Sequence, residues 1–145
     1  MKVGSDIEFH EDIRLLVYRP RALLDVGAIN KVISVLEDHE ARLEEPFNRF
    51  SGTLEADEIQ LNFKCVIEFS LHRRLSYAAR PAGKSAILAT DSAMIHYAKL
   101  HGVLTQGSPI HVRIFQDRQK AAEWLGAPIS RVEAPSASEY KPGAD

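Results

Sequence analysis

Between Lys84 and Leu125 the order strand, aspartate cap, helix occurs twice in succession, and this confines the chain more than any other feature. Lys84 to Thr90 (Lys-Ser-Ala-Ile-Leu-Ala-Thr) is nearly all apolar, the pattern of a central strand buried on both faces. Asp91 then caps a helix whose inward line is read as Ala93, Tyr97, Leu100 and Leu104, ending at Gly107 in a left-handed position. Ile110 to Phe115 alternates as a strand, Asp117 caps a last short helix with Ala121, Trp124 and Leu125 facing in, and Gly126 and Pro128 close it. Strands joined through helices lie parallel with right-handed crossovers, so the expected architecture is a small α/β layer fold.

The first half adds a mixed edge to that sheet. Asp6 to Phe9 and Ile13 to Tyr18 read as a hairpin with a polar turn at His10, Glu11 and Asp12, and Arg19-Pro20-Arg21 stops the second strand. Asp25 is a plausible N-cap for a helix carrying Ile29, Val32, Ile33, Leu36 and Leu43 at three-to-four-residue spacing. Pro46 ends it. Phe47 to Phe50 reads as the next strand, running into a turn at Ser51-Gly52-Thr53, and Leu54 to Asn62 is compatible with helix or strand, strand being favoured. The whole is one domain, residues 1–128, with about five strands, followed by a flexible C-terminal tail over 129–145 that carries Pro135 and Pro142 and little apolar content.

The helix expected from Phe63 to Ala79 has an unusual surface. Its polar stripe is confined to Lys64, Glu68 and His72, while Phe63, Cys65, Val66, Ile67, Phe69, Leu71 and Tyr77 spread around most of the circumference. A sheet covers only one side of such a helix, so the remainder must meet another helix, a ligand or a second copy. Cys65, Val66, Phe69 and Arg73 are the candidate interface residues.

Charge and composition exclude several function classes. A formal net charge of −2 leaves no basic excess for a nucleic-acid backbone. A single cysteine cannot form an internal disulfide or assemble a cysteine zinc site. No apolar run approaches a membrane span, and Met1-Lys2-Val3-Gly4 leads into charged residues, so the expected location is the cytoplasm.

Val112-Arg113-Ile114-Phe115-Gln116-Asp117, followed by Ala121 and Trp124-Leu125, resembles the Phe-x-Asp-x-x-x-Ala-x-x-Trp-Leu ending of SpoIIAA-like bacterial proteins. These belong with the STAS domains (sulphate transporter and anti-sigma-factor antagonist), whose fold is likened to the lipid-binding SEC14 module. Ala86 to Asp91 and Ile13 to Asp25 look like the family's penultimate strand with its cap and its early strand with the entry to the first helix. The likeness covers roughly Asp6 to Pro128 and implies a SpoIIAA-like fold. In sporulation-type antagonists a Ser preceded by Asp at a helix start is phosphorylated. The matching region here, Phe50-Ser51-Gly52-Thr53, lacks that Asp, and Ser51-Gly52 also reads as a turn.

Catalytic and cofactor motifs give nothing to build on. Ala78 to Ser85 fits a loosened phosphate-loop pattern but leaves a helix for a strand, the reverse of what phosphate binding needs. The six histidines are scattered; His96 and His101, five apart on one helix, cannot grip one ion together. Cys65 has no local base partner. No metal, cofactor or catalytic group is expected. Arg73-Arg74, with Arg80 beyond, is the one basic cluster; Arg74 must reach a helix end or a carboxylate, and Arg74 and Arg80 are the candidate contacts for an anion.

Two functions remain. The first is a non-catalytic regulatory or protein-interaction module that docks on a protein partner or on itself through the Phe63 helix. The alternative is a domain binding a small apolar molecule or lipid in a cavity between sheet and helices, with Arg74 or Arg80 at its mouth.

Overall fold

The structure, a computed structural model, describes residues 6–43, 45–77 and 82–133. Ile7–His10 (β1) pairs antiparallel with Leu15–Tyr18 (β2), with Glu8 opposite Val17. The second strand starts two residues later than its apolar run suggests. Arg14 sits at φ +51°, its N–H donating to Glu11 O, its side chain to the carbonyls of Pro46 and Glu45, while its carbonyl accepts from Asn48 N–H. These bonds hold a left-handed turn that costs a non-glycine residue about 1 kcal/mol.

Leu23–Asp25 (β3) leads into the helix Val26–Arg42 (α1), capped by Asp25, whose carboxylate accepts from Ala28 N–H at 2.9 Å. Asn48–Gly52 (β4) continues through a 3₁₀ turn at Thr53–Glu55 to Glu58–Gln60 (β5). The expected strand over Leu54 to Asn62 therefore shrinks to three residues, which pair parallel with β3 in a separate two-stranded sheet. Ser51 does not lie in a turn: it is inside β4, opposite Tyr18 on one side and Ile87 on the other.

Phe63–Tyr77 (α2), Gly83–Leu88 (β6), Ser92–Leu104 (α3), Ile110–Phe115 (β7) and Arg118–Leu125 (α4) complete the chain order. The expected helix end at Ala78 and Ala79 lies outside the described residues. The main sheet runs β1-β2-β4-β6-β7, antiparallel at β1 and parallel from β2 onward. This is the expected mixed five-stranded α/β sheet.

Both faces of the sheet are covered, which is why all four residues of β2 are buried. Leu16, Tyr18 and Ile87 pack with Val32 of α1 and with Met94 and Ala98 of α3. Leu15, Val17, Phe50, Ala86 and Leu88 pack on the opposite side with Ala121, Ala122 and Leu125 of α4. Met94 and Ala98 thus form the inward line of α3, and Ala93 is exposed, because the helix is rolled by one residue from the expected line. The carboxylates of Asp91 and Asp117 accept from Met94 N–H and Gln119 N–H, as expected of caps. Packing continues past Pro128. A 3₁₀ turn at Ile129–Arg131 carries Val132 into the second core, so the ordered domain extends beyond residue 128.

Candidate interaction surface

Asn62 starts α2 by accepting Cys65 N–H on its side-chain oxygen at 2.8 Å, a cap one residue before the apolar run. From there Val66, Ser70 and Arg73 recur at i, i+4 and i+7 and are buried. Cys65 and Phe69 flank them half-buried, Phe69 against the imidazole of His101 at 5.8 Å. The candidate interface residues Cys65, Val66, Phe69 and Arg73 are thus brought together, but on the inner side of the helix. Apolar residues occupy so much of the circumference that periodicity selects no face. The polar ends of Ser70 and Arg73 find interior partners, and that decides which side turns in.

The outer side carries a different apolar row. Phe63, Ile67, Leu71 and Leu75 recur every four residues and are 55%, 40%, 46% and 80% exposed. Val103 on α3 is exposed as well. Phe63 is steadied by an edge-on contact with the Tyr97 ring at 5.2 Å, and Tyr97 donates its hydroxyl to Leu61 O. Lys64, Glu68 and His72 run beside the row, all exposed.

Behind this face lies a buried ionic network. Glu40 of α1 accepts from Arg73 Nη2 and from Arg49 Nη2 of β4, both at 2.6 Å on the same carboxylate oxygen. Glu37 approaches Arg73 at 3.5 Å and accepts from His72 at 2.7 Å and Ser76 at 2.9 Å. Partial burial alone would raise the Glu37 pKa, but the bonds from Ser76 and His72, with Arg73 nearby, leave it below the ordinary value. Arg49 also lies over the Phe47 ring at 4.2 Å and donates to Phe47 O at 2.7 Å. Buried arginine and glutamate are not read as core from sequence; only the recurrence of Arg73 with Val66 and Ser70 could have signalled it.

Arg74, by contrast, is exposed and donates to Leu104 O at the C-terminal end of α3, where a cation meets the negative end of the helix dipole. Arg80 lies outside the described residues. A cavity of about 100 Å³ does exist between the sheet and the three helices α1, α2 and α3. Arg73, His101, Ser51, Thr53 and Ser85 are among its lining residues, and Arg74 is not. Its volume suits a few waters and falls below the ~300–1,000 Å³ of ligand pockets. Ser51 faces this cavity from within β4 instead of opening a helix, so the geometry of the sporulation-type phosphorylation site is not reproduced.

Ser70 and His101 lie 2.7 Å apart, the first half of a nucleophile–base arrangement. The remaining half has the wrong sign. Burial and then the nearby Arg73 lower the His101 pKa to about 4, whereas a catalytic imidazole needs a carboxylate to stabilise its cation. Ser70 is also fully buried. Among the described residues no three His, Cys, Asp or Glu side chains converge as a metal site, and no helix is long and apolar enough to cross a membrane.

An uncharacterised protein of the DUF3478 family from Shewanella loihica PV-4, whose crystal structure has a SpoIIAA-like fold, superposes with a TM-score of 0.52. The match covers 82% of this chain and 90% of that one at 17% identity. The chain has a SpoIIAA-like fold. No family model matches the sequence, and no curated protein was found to match it. A SpoIIAA-like sheet with helices on both sides and an exposed apolar row on one helix can present a docking face.

Proposed function

We propose that this protein is a non-catalytic, STAS-like interaction module of regulatory type that binds a second copy of itself through the outer side of α2. The observation that carries the reading is the exposed row Phe63, Ile67, Leu71 and Leu75 on a helix whose inner side is already filled. Two such helices packed antiparallel about a two-fold axis set Phe63 against the partner's Leu75 and Ile67 against the partner's Leu71. An isologous contact requires this kind of self-complementarity. Small-ligand binding is the weaker reading, because the enclosed space is small.

Size-exclusion chromatography with light scattering tests the proposal. A species of twice the 16.2 kDa chain mass is expected, giving way to a monomer in Leu71→Asp with unchanged circular dichroism. A wild-type protein that stays at 16.2 kDa at high micromolar concentration refutes it.

A further inference from the structure

The sheet ends at β7, and among the described residues no strand pairs with its other side. Gly83 N–H donates to Pro109 O at one end of the β6–β7 ladder, and Ala89 N–H donates to Phe115 O at the other. By the two-residue period of a parallel ladder, His111, Arg113 and Phe115 direct their backbone groups toward β6, while Ile110, Val112 and Ile114 direct theirs outward. The Ile110 carbonyl is taken by the Ser108 hydroxyl at 3.0 Å, consistent with that assignment. Val112 and Ile114 therefore present a short backbone template.

A groove of about 700 Å³ runs along this edge. Lys99 of α3 stands on one flank; Lys84, His111 and Arg113 stand on the other, and no carboxylate lines the groove. Trp124 gives the second flank an apolar floor, with the Arg113 guanidinium 5.7 Å from its ring and Lys84 donating to its carbonyl at 2.8 Å. Val103, Val112 and Ile114 supply apolar surface beside Lys99. Positive side chains on an edge strand disfavour pairing with an identical edge, since an antiparallel second copy would crowd the same cations together. An extended segment bearing carboxylates meets no such penalty. Its alternate side chains would reach Lys99 on one face and Arg113 with Lys84 on the other.

We propose that the open edge of β7 takes an extended acidic peptide segment as an added strand, bonded to the outward amides and carbonyls of Val112 and Ile114. This surface is separate from the α2 row.

The probe is a fluorescein-labelled heptapeptide Glu-Glu-Val-Val-Glu-Glu-Val, which as a strand carries carboxylates on both faces, read by anisotropy with the full chain. Saturable binding is expected, with slowed hydrogen exchange at the Val112 and Ile114 amides. Affinity should fall at least tenfold in Arg113→Glu with Lys99→Glu, both exposed positions, and at least tenfold when alternate peptide amides are N-methylated. Leu71→Asp should bind as wild type does. Absence of binding up to about 1 mM, equal binding of the N-methylated peptide, or equal binding of a Lys-Val peptide overturns the proposal. So does conversion of a wild-type dimer to monomer by the Arg113→Glu change, which would assign the edge to a second copy.

Discussion

Arg73 and Glu40 meet at 2.6 Å where α2 packs on α1, with both side chains almost wholly withdrawn from water. Arg49 reaches the same carboxylate oxygen from the sheet, so one glutamate joins three elements. Removing that charge takes from two buried guanidinium groups the carboxylate they share. Glu40→Gln should cost about 3–5 kcal/mol by urea denaturation. Replacing all three by apolar residues of similar size, as Glu40→Leu with Arg49→Met and Arg73→Met, should recover most of the loss. A cost below about 1 kcal/mol for Glu40→Gln would show that the network carries little of the packing.

Gly83 begins β6 directly against this network. A Cβ there would lie 2.6 Å from Phe47 O and 2.7 Å from Arg49 Nη1, and the first of these is backbone that cannot step aside. Gly83→Ala should destabilise the protein by about 1–3 kcal/mol, seen as a lower midpoint in thermal unfolding. An unchanged midpoint would mean that the strand start shifts freely.

His101 makes stability fall in acid. Its folded pKa of about 4 lies below the ordinary 6.5, through burial and the proximity of Arg73. Between those values the unfolded chain binds a proton that the folded chain does not. The stability contribution is therefore full above about pH 6.5 and is lost progressively toward pH 4, by up to about 3 kcal/mol. Denaturation of His101→Gln across this range should show a flatter pH dependence than wild type; an identical slope would assign the acid sensitivity elsewhere.

Asp91 holds the start of α3, accepting Met94 N–H at 3.0 Å. Asp91→Ala should cost about 1 kcal/mol, and Asp91→Asn much less, because the amide oxygen can still accept. Chemical denaturation of the pair separates capping from charge.

The caps illustrate what the sequence makes legible. Asp25, Asp91 and Asp117 stand immediately before amphipathic or apolar runs, and each accepts a helix N–H. The antiparallel hairpin and the parallel direction of the later strands follow from the same local signals. The three-residue β3 and β5 carry no such signal, being too short for alternation to show, and they exist because each pairs with the other. Which side of α2 turns inward was equally unreadable. Arg73 is buried by Glu40, thirty-three positions away, a relation that helical spacing does not contain. Ser51 reads as a turn because Gly52 follows it, yet β2 and β6 on either side keep it extended.

The turn at Ile129–Arg131 has a temporal implication for synthesis. Arg131 clasps Asp12 through two bonds of 2.9 and 2.6 Å, and Val132 fills the core beneath the hairpin's opposite face. A nascent chain emerging at ~5–20 residues per second must therefore hold its hairpin without that seal for ~6–24 s. The underside of the sheet stays wet until Val132 has emerged, which makes this interval the one in which a chaperone has most to shield.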